Sequence, residues 1–99
     1  MRITPTQREL IVQATRELVG PRARVRLFGS RVDDSLRGGD IDLLVESPVA
    51  LTARLQTQLR LGARLERTLG GRRIDVLVID PDTERLPVHE AALATGVEL

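Results

Sequence analysis

Two short stretches, RLFGSR at residues 26–31 and DIDLLV at residues 40–45, predict the centre of the fold. The first ends a run, residues 22–28, in which Arg and apolar side chains alternate, as they do in a half-buried strand. The second predicts a strand over residues 40–46, and a third apolar run, RIDVLVI at residues 73–79, predicts another. One side of these two strands is expected to face the core with Ile41, Leu43, Val45, Ile74, Val76 and Val78. Leu44, Leu77 and Ile79 lie on the other side, where another element should bury them. The sequence therefore predicts one sheet with at least three strands.

Helical patterns surround these strands. Thr4 and Gln7 form a capping box with Pro5 at the first helical position, ahead of an apolar stripe at residues 10, 11, 14 and 18. The polar residues 31–39 are long enough for one or two helical turns and a Gly-Gly loop. A short last helix is expected at about residues 87–95, ending at Gly96. The order of elements predicts an α/β (α+β) fold, a small mixed β-sheet flanked by helices, in a single domain, residues 1–99.

The longest predicted helix runs from Leu51 to Leu69. Gly62 lies on its apolar face, where a small residue either allows close packing or is simply tolerated. That apolar face is expected to contain five leucines: Leu51, Leu55, Leu59, Leu65 and Leu69.

The composition excludes several classes of protein. The 15 basic residues are all Arg and are balanced by 14 acidic ones; Cys, Tyr and Trp are absent, and Phe28 and His89 are the single Phe and His. Without Lys there is no P-loop and no Schiff base, and without Cys there is no disulfide, thiolate zinc site or thiol nucleophile. No apolar run approaches the length of a membrane span or signal peptide, so we expect a cytoplasmic protein.

Three aspartates stand in predicted strands, where Asp is depleted. Asp40 and Asp42 project from the same side of their strand, about 6.6 Å apart along the backbone, and Asp75 lies between two apolar residues of the third strand. The alternatives are that Asp40 ends the Gly38-Gly39 turn and that Asp42 occupies an edge position facing water. Clustered carboxylates would repel one another unless a cation neutralised them, and oxygen ligands favour Mg²⁺ or Mn²⁺.

Gly29 and Ser30 directly follow the first strand. A glycine there lets the backbone approach a ligand closely, and free N–H groups with the Ser30 hydroxyl make an anion site. An ordinary turn capped by Ser30 is the alternative. The order of anion site and then acidic strand favours a phosphate held next to a metal ion.

The motif that these residues form, G-S-x(n)-D-x-D, resembles that of the DNA polymerase beta-like nucleotidyltransferase superfamily. The small size is similar to the minimal nucleotidyltransferases paired with HEPN-domain proteins in toxin–antitoxin modules. The resemblance implies that Gly29 and Ser30 hold a triphosphate and that Asp40, Asp42 and Asp75 are catalytic carboxylates that bind the metal ions. Arg31 and Arg37 occupy positions where the family often has Arg near the phosphates, and a solvated surface charge is the alternative for each.

The implied reaction transfers AMP from ATP, with Mg²⁺ or Mn²⁺, to a hydroxyl of a HEPN partner protein. A chain of 99 residues has no room for an acceptor-binding domain. The acceptor is therefore expected to come from a partner protein or from a second copy of this chain in a homo-oligomer. The alternative is a non-catalytic antitoxin that neutralises its partner by binding it. The near-zero net charge argues against nucleic-acid binding. The candidate residues for such binding are Arg60, Arg64, Arg67, Arg72 and Arg73. A charged face exposed to solvent is the simpler interpretation of these residues.

Overall fold

The computed structural model describes residues 3–29 and 41–99, which form a mixed four-stranded sheet with helices packed on both faces. The sheet order is β3-β2-β1-β4, with β1 antiparallel to β2 and β4, and β2 parallel to β3. The predicted mixed α/β architecture is thereby confirmed; the turns expected at residues 31–39 lie outside the described residues. The elements are α1 (Pro5–Leu18), β1 (Arg24–Phe28), β2 (Ile41–Glu46), α2 (Arg54–Thr68), β3 (Ile74–Ile79), α3 (Pro87–Thr95) and β4 (Val97–Glu98).

The first helix begins as predicted. The Thr4 hydroxyl accepts the Gln7 N–H at 3.1 Å, and the Gln7 side chain accepts the Thr4 N–H at 2.9 Å. These two bonds satisfy backbone donors that have no partner within the helix. The sequence motif alone was therefore sufficient to place this end of α1. None of the helices within residues 3–29 and 41–99 is long and apolar enough to cross a membrane.

The two faces of the sheet carry separate apolar clusters. Because successive strand residues point to opposite faces, alternate residues of β2 and β3 divide between them. On one face α1 and α2 bury the odd-numbered apolar residues of β2 and the even-numbered ones of β3, as predicted: Ile41, Leu43, Val45, Ile74, Val76 and Val78. On the other face α3 covers a smaller cluster, in which Leu44 and Ile79 are fully buried against Ala92 and Leu77 is partly buried.

The leucine stripe predicted for α2 is confirmed for Leu65 and Leu69, which are buried, and is wrong for Leu55 and Leu59. Leu55 and Leu59 are 60% and 72% exposed, whereas Leu61 and Leu65 are fully buried. Leu51 precedes the helix, which begins only at Arg54. At about 100° per residue, Leu55 and Leu59 lie about 120° and 160° around α2 from Leu61, whereas Leu65 lies about 40° from it. Leu55 and Leu59 therefore lie outside the buried face.

The sequence missed two features of the fold. β4 is two residues long, too short to give a pattern, and is recognisable only by its pairing with β1. Asp80, which the sequence places in a turn, is buried at the end of β3. Its Oδ2 accepts the Leu51 N–H at 2.9 Å, and its Oδ1 accepts the Thr83 hydroxyl at 2.8 Å and the Asp82 N–H at 3.0 Å. The Asp80 carboxylate thus fastens the segment before α2 to the end of β3.

We expect this carboxylate to make the stability of the protein depend on pH. The hydrogen bond from the Leu51 N–H, then that from Thr83, holds the pKa of Asp80 below its usual value. The stability that it contributes is therefore complete above the usual carboxyl pKa, near 4, and is lost as the pH falls through the lower pKa of the folded state. Asp80→Asn should lower the Tm by several degrees at pH 7, and the difference from wild type should shrink below pH 4 in thermal unfolding followed by circular dichroism. Equal shifts at both pH values, or a similar effect from Asp82→Asn in the exposed turn, would contradict this.

A buried hydroxyl in α1 gives a prediction of opposite sign. Thr15 is 1% exposed, and its Oγ1 has no hydrogen-bond partner among the described residues. A buried polar group without a partner destabilises the folded state by about 1–3 kcal/mol. The nearly isosteric Thr15→Val should therefore raise the free energy of unfolding by about 1 kcal/mol, measured by urea denaturation. Thr6→Val at the exposed start of the same helix is the control, for which no gain is expected.

Candidate active site

Two of the predicted carboxylates meet at the end of the sheet where β1 finishes and β2 and β3 begin. Asp42 is the register partner of Asp75 on the parallel strand β3 and of Phe28 on the antiparallel strand β1. Register partners present their side chains on the same face, and neighbouring strands lie about 4.8 Å apart. Asp42 and Asp75 therefore stand side by side on the face that α3 partly covers, beyond the buried cluster of Leu44 and Ile79.

The other predicted site residues, Ser30, Arg31 and Asp40, lie outside the described residues, as does Arg37. Their roles stay predictions. Within the described ranges no group of three or more His, Cys, Asp or Glu side chains is placed to hold a metal ion. The described part of the site thus consists of Gly29, Asp42 and Asp75, together with the residues that contact them.

Gly29 allows the Asp42 carboxylate to lie directly against the backbone. The residue follows β1 with φ +73°, a conformation that L side chains rarely adopt. A Cβ at this position would lie 3.3 Å from Asp42 Cγ and would overlap Oδ2. The sequence predicted a close approach between Gly29 and a ligand. The structure shows in addition a close approach between Gly29 and a side chain of the same site.

Asp75 is more open to solvent, and Arg73 accompanies it. Its side chain is 53% exposed, and its Oδ1 lies 3.8 Å from Arg73 Nε. From the sequence, Arg73 was predicted only as part of a candidate nucleic-acid surface, and its position at the site was missed. The position of Arg73 could have been predicted, because residues two apart in a strand, such as 73 and 75, point to the same face. Arg73 beside Asp75 partly offsets the negative charge of that carboxylate.

Two other residues considered from the sequence have structural partners. Arg64 Nη2 lies 2.6 Å from Glu17 Oε2, and this hydrogen-bonded pair joins α2 to α1 and lowers the pKa of Glu17. Arg64 and Arg73 are both paired with carboxylates. Two of the five arginines considered for nucleic-acid binding therefore already have partners within the chain. His89 is buried, and its Nδ1 accepts the Leu86 N–H at 3.0 Å at the start of α3. His89 therefore has a structural role at the start of α3.

The two described carboxylates at the site fit a hard divalent cation. Both described side chains at its centre offer carboxylate oxygens, which Mg²⁺ and Mn²⁺ prefer. The space that a Cβ of Gly29 would fill is occupied by one of these carboxylates, so the glycine and Asp42 form a single local unit. The fold and the described site together define a small α/β domain with a pair of carboxylates at one end of its sheet.

Comparison with known proteins identifies the family. Residues 8–94 match the nucleotidyltransferase domain family, and the chain belongs to it. Two solved structures of the toxin–antitoxin pair MntA–HpeT, both of mutant forms, contain chains of similar fold. They have TM-scores of 0.65 and sequence identities of 22% and 19%; the matches cover 93% of this chain and 69% and 70% of those chains. A comparison with curated proteins finds no match.

Proposed function

We propose that this protein transfers a nucleoside monophosphate, AMP from ATP, to a hydroxyl group of a partner protein of the HEPN type, as the antitoxin of a toxin–antitoxin pair. The observation that carries the proposal is the register of Asp42 with Asp75 on one face, with Gly29 making room for the Asp42 carboxylate. The family supports nucleotidyl transfer. The similar fold of the MntA–HpeT chains supports the toxin–antitoxin setting.

The chain's own residues have distinct roles in this proposal. Asp42, together with Asp40, would hold Mg²⁺ or Mn²⁺, and Gly29 with Ser30 and Arg31 would hold the triphosphate. A bound divalent cation supplies charge neutralisation for the attacking and leaving oxygens. Gly29 limits where Asp42 can move, so that its carboxylate is oriented before the nucleotide arrives. One of the two solved MntA–HpeT structures is that of a mutant with two Asp-to-Glu substitutions two positions apart, which is also the spacing of Asp40 and Asp42.

Asp75 would act at the acceptor hydroxyl, in addition to its role as a metal ligand. Its exposed carboxylate can accept the hydroxyl proton while the hydroxyl oxygen forms a bond to the α-phosphorus. The bond from the α-phosphorus to the oxygen that bridges to the β-phosphorus breaks, and pyrophosphate leaves. Arg73, beside Asp75, is placed to offset negative charge on the same side of the site. No His or Lys base is needed.

The experiment that tests the proposal uses α-labelled ATP, Mg²⁺ and the protein encoded by the neighbouring gene. We expect label to appear on that partner and to disappear when Asp40 and Asp42 are both replaced by Asn. A non-catalytic antitoxin would neutralise its partner equally well with and without these substitutions. Label on this chain alone would identify a second copy, rather than a partner, as the acceptor.

We expect weak discrimination between nucleotide bases. Phe28 is the one aromatic residue of the chain, and it packs against the cluster that α3 covers. Phe28 is also the register partner of Asp42 and is only partly buried, so among the described residues a base has this one ring to stack on, and stacking on a ring suits every base. Dissociation constants for ATP, GTP, CTP and UTP, measured by isothermal titration calorimetry, should agree within about a hundredfold, or roughly 2.7 kcal/mol. A wider spread for this chain alone would contradict the prediction, whereas a spread seen only in the complex would mean that the partner supplies the ring.

A further inference from the structure

Asp75 lies on β3, which is the outer strand of the sheet. The Ile41 N–H donates to the Arg73 carbonyl at 3.2 Å, and the Ser47 N–H donates to the Ile79 carbonyl at 2.9 Å. In a parallel ladder such bonds involve every second residue, so the odd-numbered residues of β3 face β2. The N–H and C=O groups of Ile74, Val76 and Val78 therefore point away from the sheet, where no further strand pairs with them in the described part of the chain.

Side chains of α2 bind these outward groups. Gln58 Oε1 accepts the Val78 N–H at 2.9 Å, and Arg54 Nη1 donates to the Val78 carbonyl at 3.0 Å. At the other end of the strand, Glu66 Oε1 accepts the Ile74 N–H at 3.4 Å. Two of the three outward-facing residues thus have partners that a neighbouring strand would otherwise provide.

The helical spacing explains how one helix can do this. Residues 54, 58, 62 and 66 are four apart, so they form one row along α2. The third position of the row is Gly62, whose Cβ would lie 3.9 Å from Val76 Cγ2. The row therefore meets the outer edge of β3 in the order Val78, Val76, Ile74. It holds the strand on both sides of Asp75 and has no side chain at the middle position.

We propose that Arg54, Gln58 and Glu66 take the place of an outer strand for β3 and are positioning residues for Asp75. The part of this inference that concerns catalysis rests on the proposed function, in which Asp75 takes part in nucleotidyl transfer. An outer strand held from one side only is free to shift, and displacement of a reacting group by about 1 Å lowers rates strongly. The three side chains prevent that shift without covering the face on which Asp75 lies.

The test compares Gln58→Leu, which removes the acceptor for the Val78 N–H, with Gln58→Glu, which keeps an acceptor oxygen. Three quantities are measured on the full chain: backbone amide exchange by NMR, the affinity for Mn²⁺ alone, and kcat and KM for nucleotidyl transfer to the partner. For Gln58→Leu we expect exchange at Val78 to accelerate about fivefold. We also expect weaker Mn²⁺ binding and a lower kcat with little change in KM for ATP. Gln58→Glu should restore all three.

Each failure has a separate meaning. Unchanged amide exchange at Val78 in Gln58→Leu would overturn the proposal that these side chains take the place of an outer strand. Faster exchange with wild-type Mn²⁺ affinity and kcat would overturn the positioning role. If the wild-type protein transfers no nucleotide, the proposed function fails. The amide exchange at Val78 and the affinity for Mn²⁺ then still test whether the α2 side chains hold β3 in position. If Gln58→Leu does not fold, Arg54→Gln, which removes the guanidinium donor to the Val78 carbonyl, provides the same measurements.

Discussion

Replacing Asp42 by Asn is expected to lower the rate of nucleotidyl transfer by about a thousandfold, or roughly 4 kcal/mol. Asn has the shape of Asp but lacks the negative charge that a hard cation needs. Because Asp42 and Asp75 are register partners, removing one charge also relieves repulsion between them. Because Asn keeps the shape of Asp, the Tm of Asp42→Asn without metal should stay within a few degrees of that of the wild type. A lower rate with little change in stability is the combination that distinguishes a catalytic carboxylate from a structural one.

The matched control for this prediction is Asp82→Asn, at an exposed position in the turn after β3. It makes the same chemical change away from the site and should leave transfer within about twofold of wild type. The rate is measured with labelled ATP under single-turnover conditions, and the Tm by calorimetry. Full activity of Asp42→Asn, or a large loss of stability, would show that Asp42 has a structural role.

Gly29→Ala should lower transfer by about a hundredfold while the protein stays folded. A Cβ at residue 29 would overlap the Asp42 carboxylate, so either that carboxylate or the backbone after β1 has to move. A displacement of about 1 Å at a reacting group is sufficient for a loss of this size. The positive φ adds a backbone energy of about 1 kcal/mol, which lowers stability but has no direct effect on the reaction.

Gly70→Ala separates these two effects. Gly70 has φ +78°, close to that of Gly29, but a Cβ there would meet nothing within 4 Å. Both variants should lose similar stability in urea denaturation, and only Gly29→Ala should lose activity and Mn²⁺ affinity. Equal activities in the two variants would mean that the contact between Gly29 and Asp42 has no catalytic importance.

Much of the sheet was predictable because side-chain direction in a strand depends on sequence position alone. The alternation in residues 40–46 and 73–79 was enough to predict which apolar residues share the α1 and α2 face and that Leu44, Leu77 and Ile79 need cover from another element. The capping box at Thr4 and Gln7 was equally local. The leucines of α2 were not predictable in this way. Their burial depends on how the whole helix is rotated against the sheet and on its start at Arg54 rather than Leu51.

Sequence by itself determined the mixed α/β class, the strands that carry Asp42 and Asp75, and the glycine that follows β1. These features depend on local periodicity and on the chemistry of single residues. Tertiary structure alone decided the register that sets Asp42 beside Asp75, the contact between Gly29 and the Asp42 carboxylate, and the row on α2 that binds the edge of β3. Each of these joins residues distant along the chain, and their separation in space depends on how strands pair and helices pack.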